Sequence, residues 1–338
     1  MEISLLGIDL AKSVFQVHGN DRSGKCVIRK TLRRVQLSAF VSQLPVCVVA
    51  MEACSSANHW ARVFQGYGHE VRLIAPQFVK PFVKTNKNDS ADAEAIAEAA
   101  VRPNMRFVAP KALWQQEIQT LHRSRQLLIG HRVSLTNALR GFLTEHGYAI
   151  PKADHHLQKQ IQEILGMKSA EFSGLFLMVL ETLWQQVREL KAQVERIEDE
   201  IRKIARTDER CKRIQQIEGV GPLIATAAIA VMGEPKNFKN GRQFAAFLGL
   251  VPRQHSSGGR ELLLGISKRG DGYLRRLLIH GARAAVTYAS KRSTRRSRWA
   301  LEKVKTRGMN KATVAYANHN ARVIWALLAK QEDYRAAA

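Results

Sequence analysis

The sequence lacks most of the features that mark a secreted, membrane-bound or disulfide-built protein. Its four cysteines, Cys26, Cys47, Cys54 and Cys211, show neither CxxC nor Cys/His zinc spacing. That argues against a disulfide framework and a zinc site, and leaves reduced thiols in a cytoplasmic chain as the expectation. No uninterrupted apolar stretch of about 18 residues occurs. Residues 1–10 have neither a basic start nor a small-residue cleavage site, so neither a membrane span nor a signal peptide is expected. The first third has no Gly-rich phosphate loop, which argues against a sugar-kinase or actin-like ATPase chemistry. Acidic residues are scarce at the far end. Residues 211–338 hold 24 Lys and Arg against 7 Asp and Glu, where residues 1–110 hold 14 against 9 and residues 111–210 hold 15 against 13.

What is present is a chain of 338 residues, 45% hydrophobic, with a formal net charge of +24. That length and apolar content suffice for two or three domains with real cores. A positive surplus concentrated in one third implies a polyanionic partner, with nucleic acid the default. A membrane surface would require a basic amphipathic helix with an aromatic face, and none is evident.

The N-terminal third alternates strand and helix signals. Ile3–Leu10, Val14–His18 and Lys25–Thr31 read as a three-strand meander, followed by a helix over Val35–Leu44 and a buried strand over Val46–Met51 that ends at Glu52. Helix at 57–65, strand at 71–74 and helix at 77–84 follow, so a mixed sheet covered by helices is expected. Asp9 lies inside an apolar strand, where an unpaired carboxylate costs several kcal/mol or more and must pair, protonate or hold a metal. Asp89 and Asp92, three apart at the start of an Ala-rich helix, can converge there, although Asp at a helix start is also ordinary capping. Together Asp9, Glu52, Asp89 and Asp92 make an oxygen-rich set suited to one or two Mg²⁺ ions acting on phosphate oxygens.

Further along, residues 111–148 read as a long helix with a stripe of Arg125, Arg132 and Arg140, either a solvated face or a contact to a nucleic-acid backbone. Residues 151–173 are polar and read as a break. From Phe176 to Ile204 apolar residues recur at spacings of 4 and 3, a coiled-coil seam that serves subunit association or an antiparallel hairpin within the chain. Gly219-Val220-Gly221, between two apolar helices, has the pattern of a helix-hairpin-helix, whose backbone N–H groups hold phosphate without reading sequence. Residues 252–260 read as a flexible loop with Arg253, His255, Ser256, Ser257 and Arg260. Lys268, Arg269, Arg275, Arg276 and the run Lys291, Arg292, Arg295 and Arg296 complete the candidate nucleic-acid contacts.

The phrases GIDLAKSVFQVHG and KTNKNDSADAEAIAEA resemble the insertion sequence 110/1111 family of DEDD transposases. GVGPLIA, QFAAFLGLVPRQHSSGG, ISKRGD and RGMNKATVAYANHNARVIWALL extend the likeness to about Leu328. The resemblance implies a ribonuclease-H-like α/β domain at 1–110, akin to Holliday-junction resolvases of the RuvC type. A helical, coiled-coil spacer at 111–208 and a basic, mainly α-helical C-terminal domain at 209–338 follow. It further implies that Asp9, Glu52, Asp89 and Asp92 bind Mg²⁺ and that Ser257, with Ser256 as rival, attacks the DNA backbone. The implied partners are the DNA of the element ends and target, an element-encoded guide RNA and further copies of the chain, with carboxylates from one subunit and serine from another. The expected setting is the cytoplasm of a prokaryotic cell, at the nucleoid when active. The competing readings are a Mg²⁺-dependent Holliday-junction endonuclease that needs no serine and a non-catalytic nucleic-acid chaperone.

Overall fold

The computed structural model describes residues 2–83, 89–166 and 172–335, without the side chains of Asp89 and Ser90. Two units result, residues 1–113 and residues 114–338.

In the first unit the meander forms as β1 (Leu5–Asp9), β2 (Val14–Asn20) and β3 (Cys26–Arg33), leading into α1 (Arg34–Ser42). β4 (Val48–Glu52), α2 (Ala57–Gly66), β5 (Glu70–Ile74), the short α3 (Pro76–Val79), α4 (Asp89–Ala100) and the two-residue β6 (Phe107–Val108) complete it. The sheet runs in the order β3-β2-β1-β4-β5-β6. β1, β4 and β5 are parallel, while β2, β3 and β6 pair antiparallel.

Because successive strand residues face opposite sides, β1 and β4 each divide their side chains between two cores. Leu6, Ile8, Val49 and Met51 pack with Leu37, Val41, Trp60 and Phe64 of α1 and α2. Leu5 and Ala50 pack with Ala95, Ile96 and Ala99 of α4 on the other side. Gly7 makes that second layer thin. A Cβ on Gly7 would stand 2.5 Å from the Ala93 carbonyl oxygen and 2.9 Å from the Ala97 Cβ. The helix backbone therefore rests directly on β1, as a small-residue helix and a strand glycine permit.

The second unit contains three long helices and a basic helical body. α5 (Leu113–Glu145), α6 (Asp154–Gly166) and α7 (Gly174–Thr207) share a core of Leu139, Leu143, Leu157, Ile161, Trp184 and Val187. The helix α6 lies where a break was expected. Its Leu157, Ile161 and Ile164 recur at helical spacing and are buried, which outweighs the polar residues around them. α8 (Glu209–Gln215), α9 (Pro222–Met232), α10 (Gly241–Phe247), α11 (Gly272–Thr287), α12 (Arg295–Arg307) and α13 (Met309–Lys330) surround a larger core centred on Ala-rich α9 and on Phe244, Leu278 and Tyr316. Within it His122 is buried, with Nδ1 2.9 Å from the Tyr273 hydroxyl and Nε2 2.9 Å from the Thr226 hydroxyl. Burial, then the charge of Arg125, holds this imidazole down to about 4. It is thus a neutral link tying α5, α9 and α11 together.

The segment expected as a flexible loop is a two-stranded hairpin, β7 (Pro252–Ser257) and β8 (Arg260–Ile266). Gly258 and Gly259 both have positive φ, 55° and 77°, the requirement of a two-residue turn of the hairpin type. No described helix is long and apolar enough to cross a membrane.

Candidate active site

Asp9 and Glu52 end neighbouring parallel strands, one residue beyond the paired Ile8 and Met51. By strand alternation both lie on the side of Gly7 and Ala50, which is the side α4 covers. The close approach at Gly7 brings Asp92, the residue before Ala93, to the same edge. Electrostatics shows the meeting. The Glu52 carboxyl is held above the ordinary carboxylate range by burial and then by the negative charge of Asp92. Cys54 belongs here too: burial, then the charges of Glu52 and Asp9, push its thiol up. From sequence this cysteine reads only as a reduced thiol, although its position two residues after Glu52 is the signal that places it at the site.

Three of the four carboxylates singled out in the sequence therefore share one sheet edge. The fourth, Asp89, begins α4, with its side chain outside the described residues, and Lys84–Asn88 are likewise outside them. Among the described residues no group of three or more His, Cys, Asp and Glu side chains stands close enough to hold a metal ion. The donor chemistry nevertheless fits a hard divalent cation. Glu52 and Asp92 are carboxylates of like charge, and a cation held between oxygen donors of this kind would remove their mutual repulsion.

The serine hairpin is described by its register. His255 pairs with Leu262 and Ser257 with Arg260, whereas Gln254 pairs with Leu263 and Ser256 with Glu261. Paired residues share a face, so Ser257 lies with His255 and Arg260, and Ser256 lies opposite with Glu261 and Gln254. The Gln254 amide donates to the Ser256 hydroxyl at 3.0 Å. The hairpin is exposed from Pro252 to Gly265, but its base is fixed. Ser267 N–H donates to the Val251 carbonyl at 2.8 Å, and Asn318 donates to the Leu250 carbonyl at 3.2 Å. The Arg275 guanidinium donates to the carbonyls of Leu248 and Arg269, each at 2.9 Å.

The candidate cations divide into exposed and engaged groups. Arg253, Arg260, Lys268, Arg269, Arg276, Lys291 and Arg295 are exposed. Arg125 instead pairs with Glu198 at 2.6 Å, Arg140 reaches Asp154 at 3.4 Å and the Lys152 carbonyl at 2.8 Å, and Arg132 lies 4.0 Å from Asp154. Arg292 pairs with Glu218 at 3.2 Å, and Arg296 lies over the Tyr316 ring, 4.2 Å from its centroid. In the glycine turn between α8 and α9, Gly219 has φ +80° and an added Cβ would meet the Gly281 carbonyl oxygen at 2.5 Å. That glycine seats the turn on α11. Gly221 caps α9 with open space beside it.

Two family models cover most of these elements. A DEDD transposase model of the IS110 type matches residues 6–147, and one described as the transposase IS116/IS110/IS902 family matches residues 211–299. A probable family 20 transposase of Pseudomonas aeruginosa is 47% identical over 336 residues, spanning 99% of both chains. The transposase for insertion sequence element IS1111A of Coxiella burnetii is 44% identical over 337 residues, 100% of this chain and 93% of that one. The transposase for insertion sequence element IS1328 of Yersinia enterocolitica is 40% identical over 323 residues, 96% of each. DEDD transposases use divalent metal ions, in keeping with the carboxylate edge. The chain thus belongs to the IS116/IS110/IS902 transposase family, enzymes of insertion sequences that act on DNA.

Proposed function

We propose that this transposase breaks and rejoins DNA strands through Ser257, with Asp9, Glu52, Asp89 and Asp92 holding Mg²⁺. The observation that carries the proposal is the convergence of Asp9, Glu52 and Asp92 on one edge of the sheet, where burial and the Asp92 charge already disfavour ionised Glu52. When bound there, the ion supplies positive charge to the oxygens of a DNA phosphate. The Ser257 hydroxyl forms a bond to phosphorus as the bond from phosphorus to one deoxyribose oxygen breaks. The serine proton leaves, and the departing sugar oxygen takes up a proton. The resulting phosphoserine diester keeps the phosphate bond available for rejoining to a second strand end. His255 and Arg260, on the same hairpin face, are placed to accept that proton and to offset phosphate charge.

The guide RNA rests on the family likeness of the long sequence phrases, and RNA copurifying with the protein from cells that carry the element tests it. For subunit association we favour the outer sides of α5 and α7, where Leu127, Val133, Phe142, Leu175 and Met178 are exposed. The direct test of the chemistry is strand cleavage by Asp9→Asn, Glu52→Gln and Ser257→Ala proteins. Each is expected to be inactive and folded. A protein with both Ser256→Ala and Ser257→Ala that cuts as well as the parent makes water the nucleophile, as in a Holliday-junction endonuclease.

A further inference from the structure

A cleft of about 980 Å³ opens between α12, the second half of α13 and the segment that follows it. Neither the carboxylate edge nor the serine hairpin includes it. Trp299, Val323 and Leu327 give it apolar walls, and Arg295, Arg322 and Arg335 bring cations to it. The Trp299 ring is half-buried and braced by two neighbours, with centroids 6.1 Å from Tyr316 and 6.0 Å from His319. Arg296 lies behind, over the Tyr316 ring, donating to Asn320 and, at 3.3 Å, to the Tyr334 hydroxyl.

Three acids border the cleft, Glu218, Asp333 and the exposed Glu332, and the first two are occupied. Glu218 accepts from the Tyr316 hydroxyl at 2.9 Å and pairs with Arg292 at 3.2 Å, and Asp333 lies 3.6 Å from Arg213. Arg295 and Arg322 have no carboxylate partner among the described residues. A second hollow of about 470 Å³ adjoins the first, shares His319, Arg322 and Val323 with it, and adds Arg242 and Trp325.

A recessed aromatic ring ringed by uncommitted guanidinium groups suits a ligand with a flat π face and a phosphate on either side. A groove that only tracked a duplex backbone would need the cations and not the ring, because paired bases stay stacked inside the helix. We infer that the cleft takes one unpaired base of a DNA strand onto Trp299, with the flanking phosphates on Arg295 and Arg322. This rests on the reading that the chain handles DNA, and adds to it that the substrate is bound with a base out of its stack. Base stacking on an aromatic side chain contributes about 1–3 kcal/mol per base, which sets the expected effect at roughly 5- to 150-fold in affinity.

The test compares three DNA duplexes of one sequence: fully paired, with one bulged thymine, and with a bulged abasic site at that position. The full-length protein is expected to bind the bulged thymine roughly 5- to 150-fold tighter than the abasic bulge. Trp299→Ala should erase that difference while keeping the abasic affinity, and Trp299→Phe should restore most of it. Arg322→Ala should weaken the thymine and abasic bulges alike. On the unaltered protein, 5-iodouracil at the bulge should crosslink to Trp299. Equal affinity for the thymine and abasic bulges overturns the inference, as does a crosslink that maps away from the cleft. Binding to none of the three duplexes overturns it together with the DNA reading beneath it, so the two failures are distinguishable.

Discussion

Replacing Gly7 with alanine tests whether the carboxylate edge depends on how closely α4 lies on β1. The new Cβ would sit 2.5 Å from the Ala93 carbonyl oxygen and 2.9 Å from both the Cβ and the N of Ala97, where ordinary contact begins at 3.4 Å. These are backbone atoms and a methyl of a regular helix, so no side chain can swing aside. The helix must retreat by about 1 Å, at the roughly 1–3 kcal/mol typical of an overpacked core. For a unit of about 100 residues, each kcal/mol lowers the melting temperature by roughly 4–8 °C. Asp92 moves with Ala93, and a misplacement of about 1 Å costs on the order of 100-fold in rate. Circular dichroism melts and a strand-cleavage assay at saturating Mg²⁺ measure the two effects. A Gly7→Ala protein with unchanged melting temperature and full cleavage would refute the packing argument and the positioning of Asp92 by it.

Divalent cations are expected to stabilise the chain, by about 2.7 kcal/mol at a hundred times the dissociation constant. Without metal, the raised Glu52 carboxyl contributes stability that is complete below the ordinary carboxylate range and is lost as pH rises through its raised value. Glu52→Gln should flatten that dependence. Metal stabilisation should run the other way, fading as acid protonates the ligands. Melts in EDTA and in Mg²⁺ across this pH range separate the two, and identical profiles would remove the cation from the account. Ser256→Ala loses only the bond from Gln254, so its cleavage should stay within a few-fold of the parent while Ser257→Ala shows none. The reverse result moves the nucleophile to the other hairpin face. If six to ten phosphates are contacted, DNA affinity should fall roughly 10³- to 10⁵-fold between about 50 and 200 mM salt. A salt-independent affinity would point to a different kind of contact.

Sequence pattern revealed β1, β4 and β5 well because they are apolar runs bounded by turns, missed the two-residue β6, and revealed Asp9 and Glu52 because each stands out against such a run. It could not show why Asp92 joins them. That depends on Gly7 meeting Ala93 and Ala97 across a long loop closure, which no local period records. The hairpin carried a usable signal in Gly258-Gly259, but its flanks are polar and exposed and so show no alternation between a buried and a solvent face. Arg125, Arg132 and Arg140 looked like a free basic stripe because their acids, Glu198 and Asp154, lie on other helices. The cleft at Trp299 escaped for a similar reason. Its aromatic ring, cations and bordering acids come from α12, α13 and the chain beyond, and only the basic run before Trp299 was visible as a unit.

In the proposed reaction a serine on the exposed hairpin does chemistry that depends on the carboxylate edge. Mass spectrometry of the protein after reaction with an element-end DNA, denatured in mid-reaction and digested, tests it most directly. A nucleotide attached through phosphate to Ser257 is expected, formed only when a divalent cation is present and missing from both Ser257→Ala and Glu52→Gln proteins. Strand cleavage that proceeds without any serine-linked nucleotide, and that survives Ser257→Ala, would contradict it.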